Sequence, residues 1–266
     1  MSSHPIADYA LLSDRHSAAL VGLDGSIDWL CFPRFDSPSL FGRLLDDGAG
    51  HWSLGVADVT SVSRDYLDRT MVLETTYVTA TGTAVVVDAL AMGEGNRGHA
   101  LGRDAPHLLL RRIECRAGEV AVDVEFVPRP EYGLVAPLFD DVDGGLKAIG
   151  GADTLMLSGP PMTIASSSCS ARLSLREGEH AGFALHHRKR ADAGTVRIWT
   201  QDEIAARLTD TIEAWQSWSE LHQAYVGPWQ DMVHHSGLPV RKGVMVRQGS
   251  GGRSLLTACW SSRRCS

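Results

Sequence analysis

The densest group of chemistry-bearing residues in this chain is Asp28-Trp29, followed closely by Pro33-Arg34-Phe35-Asp36. An aromatic ring offers an apolar face to a pyranose, and an Arg–Asp pair in a proline-stiffened loop can fix its hydroxyls, so the group suits sugar binding. The same residues also suit a structural role, with the ion pair bracing a loop beside a buried Trp. On residue types alone that role has the stronger claim. Asp28, Trp29, Arg34, Phe35 and Asp36 are nonetheless the candidate substrate-side set. Glycosidic chemistry needs more than binding: a general acid and a general base flank the scissile bond, ~6.5–9.5 Å apart for inversion. Asp123 and Glu125 alternate on a predicted strand and share a face. Their alternation with Val122, Val124 and Phe126 is what any half-exposed strand shows, so they read as a solvated face.

Other chemistries find less support. Asp140, Asp141 and Asp143 with Gly144-Gly145 have part of a calcium-loop spacing, but the later bidentate Glu is missing and a solvated turn is preferred. His186-His187 precede Arg188-Lys189-Arg190. Neighbours on a strand point to opposite faces, which does not suit a shared metal, so the run reads as a solvated basic turn. His234-His235 fall on a predicted helix, about 100° apart around its axis, and read as surface histidines. The sequence holds no Cys-x-x-Cys pair, Walker loop, Gly-x-Gly-x-x-Gly, Gly-x-Ser-x-Gly or His-Glu-x-x-His. Gly249-Ser250-Gly251-Gly252 is only a glycine cluster. The expectation is no metal and no cofactor.

The elements that must carry these residues are mostly strands. In residues 18–32 two apolar runs flank Asp24-Gly25, a dipeptide that tolerates the positive φ of a tight hairpin. Residues 33–39 contain two prolines and cannot continue a strand; Asp36 or Ser37 is expected to cap a short helix from Phe41 to Leu45. Strands are expected at His51 to Val56, Val72 to Thr79 and Thr83 to Ala91. Leu108 to Arg116 and Val120 to Val127 are read as a pair turning at Gly118. Shorter strands are expected at 146–150, 153–158, 162–168, 171–176 and 181–187. Closely spaced short strands with no helical pattern between them predict an all-β antiparallel sandwich over residues 1–199. At Thr200 the pattern changes. Thr200-Gln201-Asp202-Glu203 fits a capping box, and Ile204, Leu208, Ile212, Trp215, Trp218 and Leu221 recur at helical steps to about Tyr225. A linker helix is thus expected over 200–226. Gly227-Pro228 ends it, and residues 227–238 start another, with Trp229, Met232, Val233 and Leu238 apolar.

The chain has 266 residues, 44% of them hydrophobic and 21% charged, with a formal net charge of −7. Residues 239–266 hold six basic residues and no acidic ones, which leaves −13 on residues 1–238. Such an acidic body is a poor binder of nucleic acid or anionic membrane. No apolar run approaches the ~18–20 residues of a membrane span, and Met1-Ser2-Ser3-His4-Pro5 does not begin a signal peptide. Cysteines at 31, 115, 169, 259 and 265 suit reduced thiols and a cytoplasmic location better than a disulfide framework.

The N-terminal residues carry a more specific signal. Ile6-Ala7-Asp8-Tyr9-Ala10-Leu11, Ala18-Ala19-Leu20-Val21, Asp24-Gly25-Ser26-Ile27-Asp28-Trp29-Leu30-Cys31 and Pro33-Arg34-Phe35-Asp36-Ser37-Pro38 together resemble bacterial glycoside hydrolase family 15, the glucoamylase and trehalase-like enzymes. Pro130-Glu131-Tyr132-Gly133 and the helix with Ile212-Glu213-Ala214-Trp215 and Trp218 continue the resemblance, which spans roughly residues 4–238. It implies an N-terminal β-supersandwich, a helical linker and an (α/α)6 barrel that holds the acid and base glutamates. No barrel motif has a counterpart here, so no catalytic residue is carried over. Residues 239–266 resemble nothing in the family, and their abrupt Arg/Gly/Ser/Cys composition is what translation in a different reading frame would produce.

Two functional expectations follow. In one, the chain is the front of an inverting α-glucosidic hydrolase acting on trehalose or malto-oligosaccharides, inactive without its barrel and prone to self-association through the barrel-facing surface. In the other, it is a stand-alone sandwich that binds glucan or pairs with a separate barrel chain.

Overall fold

The computed structural model describes residues 5–192, 196–221 and 227. In chain order its strands are β1 (Ala10–Ser13), β2 (Ala18–Val21), β3 (Ser26–Cys31), β4 (Ser39–Phe41), β5 (His51–Val56), β6 (Val59–Tyr66), β7 (Leu73–Thr79), β8 (Gly82–Leu90), β9 (Leu108–Val127), β10 (Leu138–Val142), β11 (Gly145–Gly150), β12 (Asp153–Ser158), β13 (Thr163–Ala165), β14 (Ser168–Arg176) and β15 (His180–Lys189). One helix, α1 (Gln201–Glu220), follows among the described residues. Every strand pairing is antiparallel, in two sheets that share β9. The first runs β1-β2-β3-β5-β9-β14-β13, with β4 also on β3; the second runs β6-β7-β8-β9-β15-β12-β11-β10. The all-β sandwich expected from the sequence is what forms.

The sharing of β9 corrects the expected reversal at Gly118. Leu108 to Cys115 pair with β8 and β15, whereas Glu119 to Val127 pair with β5 and β14. Gly118 has φ +67°, and a Cβ there would meet the Thr81 carbonyl oxygen at 2.0 Å. The Glu119 N–H donates to that same oxygen at 3.0 Å. The glycine therefore makes a bulge that passes the strand from one sheet to the other instead of turning it back. Burial explains the sequence of each half. Leu109 and Ile113 face the sandwich core while Leu108 and Leu110 lie under α1, so this half is apolar on both faces. In the other half Val120, Val122, Val124 and Phe126 face inward, and Glu119, Asp123 and Glu125 face outward.

The core between the sheets centres on aromatic rings. Trp52 meets Phe126 and Phe183 edge-on, with centroids 5.8 and 6.2 Å apart. Phe41 meets Phe126 at 6.0 Å, also edge-on. Phe41 belongs to β4, so the short helix expected from Phe41 to Leu45 does not form. Leu40 and Phe41 are buried against the core, and pairing with β3 gives both an inward position and backbone partners. The expectations also passed over β1, β6 and β10. β6 and β10 are sheet edges whose largely exposed, polar sequences lack alternation.

The capping box is present: Thr200 Oγ1 accepts the Glu203 N–H, and Glu203 accepts the Thr200 N–H. From there α1 lays Ile204, Leu208, Trp215 and Trp218 against Leu108, Leu110, Ala184 and Trp199 on the outer face of the second sheet. Leu221, expected in this stripe, is half exposed and lies against Gly98. The helix beyond Leu221, residues 229–238, His234-His235, Gly249 to Gly252, Cys259, Cys265 and the basic segment 239–266 lie outside the described residues. No helix among the described residues is long and apolar enough to cross a membrane.

Candidate functional site

The candidate residues separate into three places. Asp28 lies on β3 and is buried. Its carboxylate accepts from the Tyr9 hydroxyl at 2.8 Å, the Ser26 hydroxyl at 2.6 Å and the Arg43 guanidinium at 2.8 Å. Burial and the Asp28 carboxylate both push the Tyr9 phenol well above its ordinary range. Asp28 therefore ties the N-terminal segment to the turn after β4 and is already fully occupied. Trp29, the next residue, is half buried, with its ring 6.5 Å from Tyr132 and tilted by 38°. Arg34 and Asp36 form a two-point pair at 2.9 and 3.2 Å, with side chains 67% and 72% exposed. The hydrogen bonds from Arg34 hold the Asp36 carboxyl below its usual range.

An ion pair that exposed adds on the order of 0–1 kcal/mol to folding, so it does not hold the loop. Backbone contacts do. The Phe35 N–H donates to the His16 carbonyl at 2.9 Å, and the Ser17 hydroxyl donates to the Pro33 carbonyl at 2.9 Å. Asp14 shapes the 14–17 turn beneath by accepting from the His16 and Ser17 N–H groups at 2.9 and 2.6 Å. The Arg34–Asp36 pair is thus presented to solvent on a loop fixed by other groups, contrary to the bracing role its residue types suggest.

Two features escaped the reading of residue types. Glu131, Tyr132 and Gly133 have φ of 59°, 58° and 96°, three left-handed residues in a row. Such conformations persist only where surrounding structure imposes them, and they concentrate at ligand-contacting sites. Here Gly133 N–H donates to the Arg129 carbonyl at 3.0 Å, Val135 N–H to the Pro130 carbonyl at 3.1 Å, and Gly133 packs directly on Ala49. The result holds a half-exposed Tyr132 beside Trp29. The string Pro130-Glu131-Tyr132-Gly133 was the available signal.

The second feature is a histidine cluster under the loop, which corrects the solvated basic turn expected at 186–190. β15 runs between β9 and β12, with Ala181, Phe183 and Leu185 in the sandwich core on one face and Ala184 under α1 on the other, while His186, Arg188 and Lys189 are only partly buried. His187 is buried, with Nε2 2.8 Å from Asp153 Oδ1, and Lys189 reaches the same oxygen at 2.7 Å. Burial opposes ionisation of Asp153, but the two cationic-side hydrogen bonds prevail and hold its carboxyl below its usual range. His186 faces the other way, 6.1 Å from Trp199.

The acidic pairs remain ordinary. Exposed Asp123 and Glu125 face Arg172 at 3.5 Å and His51 at 3.0 Å on the outside of the first sheet. Asp140, Asp141 and Asp143 are exposed around the β10–β11 turn. Among the described residues no three His, Cys, Asp or Glu side chains are grouped to hold a metal ion.

A chain of contacts joins the end of α1 to the loop. Leu221 packs on Gly98, whose N–H donates to the Ser217 hydroxyl at 3.0 Å. The same turn continues to Leu101 and Gly102, whose carbonyls meet Arg15 and His16. His16 in turn holds Phe35.

The sequence model for the family described as trehalase-like, N-terminal matches residues 1–172. This chain belongs to that family. It is similar to the trehalase of Mycobacterium tuberculosis, 32% identical over 256 residues, covering 89% of this chain and 37% of the relative. The trehalase of Mycolicibacterium smegmatis is 33% identical over 256 residues, with 89% and 38% covered. Trehalase 1 of Sulfolobus acidocaldarius is 38% identical over 132 residues, with 49% and 21% covered. The chain thus spans little more than a third of the length of the two mycobacterial relatives. The trehalase-like match takes in the candidate loop, Tyr132 and the bulge at Gly118.

Proposed function

We propose that this chain is the non-catalytic N-terminal sandwich of a glycoside hydrolase family 15 enzyme acting on an α-glucosidic bond, trehalose in the first instance. The loop with Trp29, Arg34, Phe35 and Asp36 forms one wall of the sugar site, and Tyr132 extends it. The carrying observation is the trehalase-like match over residues 1–172 in a chain that spans about 37% of the mycobacterial relative. The geometry agrees with a binding rather than a chemical role. Asp123 and Glu125 are exposed and face Arg172 and His51, so neither is set across a cleft as an acid–base pair requires. The loop is linked to the end of α1 through His16 and residues 98–102. In this reading inversion, with water activated by a carboxylate base, belongs to residues outside the described sandwich.

The test is to incubate the purified 266-residue chain at high concentration with trehalose and with maltotriose and to measure free glucose. The expected result is none above the no-protein control. Glucose release abolished by substitution of Asp123 or Glu125 would overturn the proposal and place chemistry in the sandwich itself.

A further inference from the structure

We infer that His107 and His187 are positioning residues for the loop 33–38, seating it through the ring of Phe32, and that the seat loosens when His107 takes up a proton. Phe32 immediately precedes the loop and is fully buried. Its ring stacks on His187, with centroids 5.5 Å apart and planes 24° apart, and lies 6.0 Å from His107. The two imidazoles are themselves 6.3 Å apart, nearly perpendicular, and the His187 N–H donates to the His107 carbonyl at 3.0 Å.

The protonation logic follows from the hydrogen bonds. His187 Nε2 lies 2.8 Å from Asp153 Oδ1, and its Nδ1 is buried with no hydrogen-bond partner among the described residues. His107 Nδ1 is likewise buried and has no hydrogen-bond partner among the described residues. A second proton on His107 creates a buried N–H, with no acceptor among the described residues, beside another imidazole. The groups facing the cluster are known from every side. β15 contributes His186, His187 and Lys189, and β12 contributes Asp153. Asp192 lies in the turn after β15, and the 14–17 turn brings Asp14 and His16. Burial first, then His187, His16 and His186, push the His107 pKa down to about 4, while Asp192 opposes. Burial pushes the Asp14 carboxyl up, so the turn that holds Phe35 also changes charge on the acid side. The inference concerns where the loop sits and stands whatever the loop binds.

The test is hydrogen exchange on the full chain, comparing peptides that cover 32–38 with peptides from β9, corrected for the intrinsic pH dependence of exchange. Opening of the loop should rise about tenfold between pH 7 and pH 5, within the limit of tenfold per pH unit for one linked proton. β9 should stay protected. His107→Asn suits the positive φ of 53° at this position and cannot be protonated; it should hold the rise below about threefold. An undiminished rise in His107→Asn, no rise in the wild type, or an equal rise in β9 would each overturn the inference. Should His107→Asn fail to fold, NMR of the wild-type chain decides. The Phe32 ring resonances must move with the His107 titration, and ring resonances that stay fixed overturn the inference.

Discussion

Arg111 is fully buried at the centre of the sandwich, with each of its three guanidinium nitrogens donating a hydrogen bond. It donates to both Asp88 oxygens at 2.8 and 3.2 Å, to the Trp52 carbonyl at 2.8 Å and to the Gly25 carbonyl at 2.7 Å. Its guanidinium also lies 5.2 Å from the centre of the Trp52 ring. A buried charge is tolerated only with such a complete set of partners, and removing one member leaves the other uncompensated. Arg111→Met should therefore cost roughly 3–5 kcal/mol of unfolding free energy, since it leaves the buried Asp88 carboxylate without its cation. Urea titration measures this, and a loss below about 1 kcal/mol would show that the pair does not hold the sheets together. The bond to Gly25 also ties the Asp24-Gly25 hairpin to the middle of the molecule. The sequence places Arg111 and Arg112 side by side on the strand expected at Leu108 to Arg116 and does not tell which of them is buried. The two differ only in which face of β9 they occupy, and that depends on the second sheet.

At the scale of elements, local signals were readable wherever one residue type has one use. The Thr200–Glu203 box, the hairpin at Gly25 and the strand expected at Val72 to Thr79, which forms over Leu73–Thr79, came out as read, because capping oxygens, positive φ and β-branched runs act locally. Gly118 was misread because positive φ serves a reversal and a bulge equally, and only the partners of the flanking residues decide between them. Gly118→Ala tests the bulge. Its Cβ would meet the Thr81 oxygen at 2.0 Å, and alanine at φ +67° is strained as well. The variant should lose at least about 1–3 kcal/mol. A variant within about 0.5 kcal/mol of wild type would mean that the crossover of β9 adjusts freely, against the backbone contacts seen there.

At the scale of the whole molecule, topology brings together what the sequence keeps apart. Trp29 and Tyr132 meet across the first sheet's loops, and His16, His107 and His187 converge on Phe32 and the loop it leads into, although no spacing rule joins them. The same assembly makes stability depend on pH. His107 and His186 are each pushed down to about 4, first by burial and then by neighbouring positive or imidazole groups. A histidine lowered in the folded state favours the neutral ring, so the unfolded chain binds more protons below its ordinary pKa of about 6.5. That contribution is fully present above pH ~6.5 and is lost progressively down to pH ~4. Asp14, raised by burial, has the opposite sign and gains protons in the folded state as pH falls. Asp153 and Asp210 are lowered and act only below the ordinary carboxylate range. Because these terms overlap, a variant difference isolates one of them better than the wild-type curve alone. His186→Gln removes an imidazole that faces Trp199 and leaves the Phe32 seat in place. Between pH 7 and pH 5 its urea midpoint should fall by less than that of the wild type. Parallel midpoints over that range would show that His186 titrates alike in the folded and unfolded chain, and that its burial beside Trp199 and Arg197 does not oppose its charge.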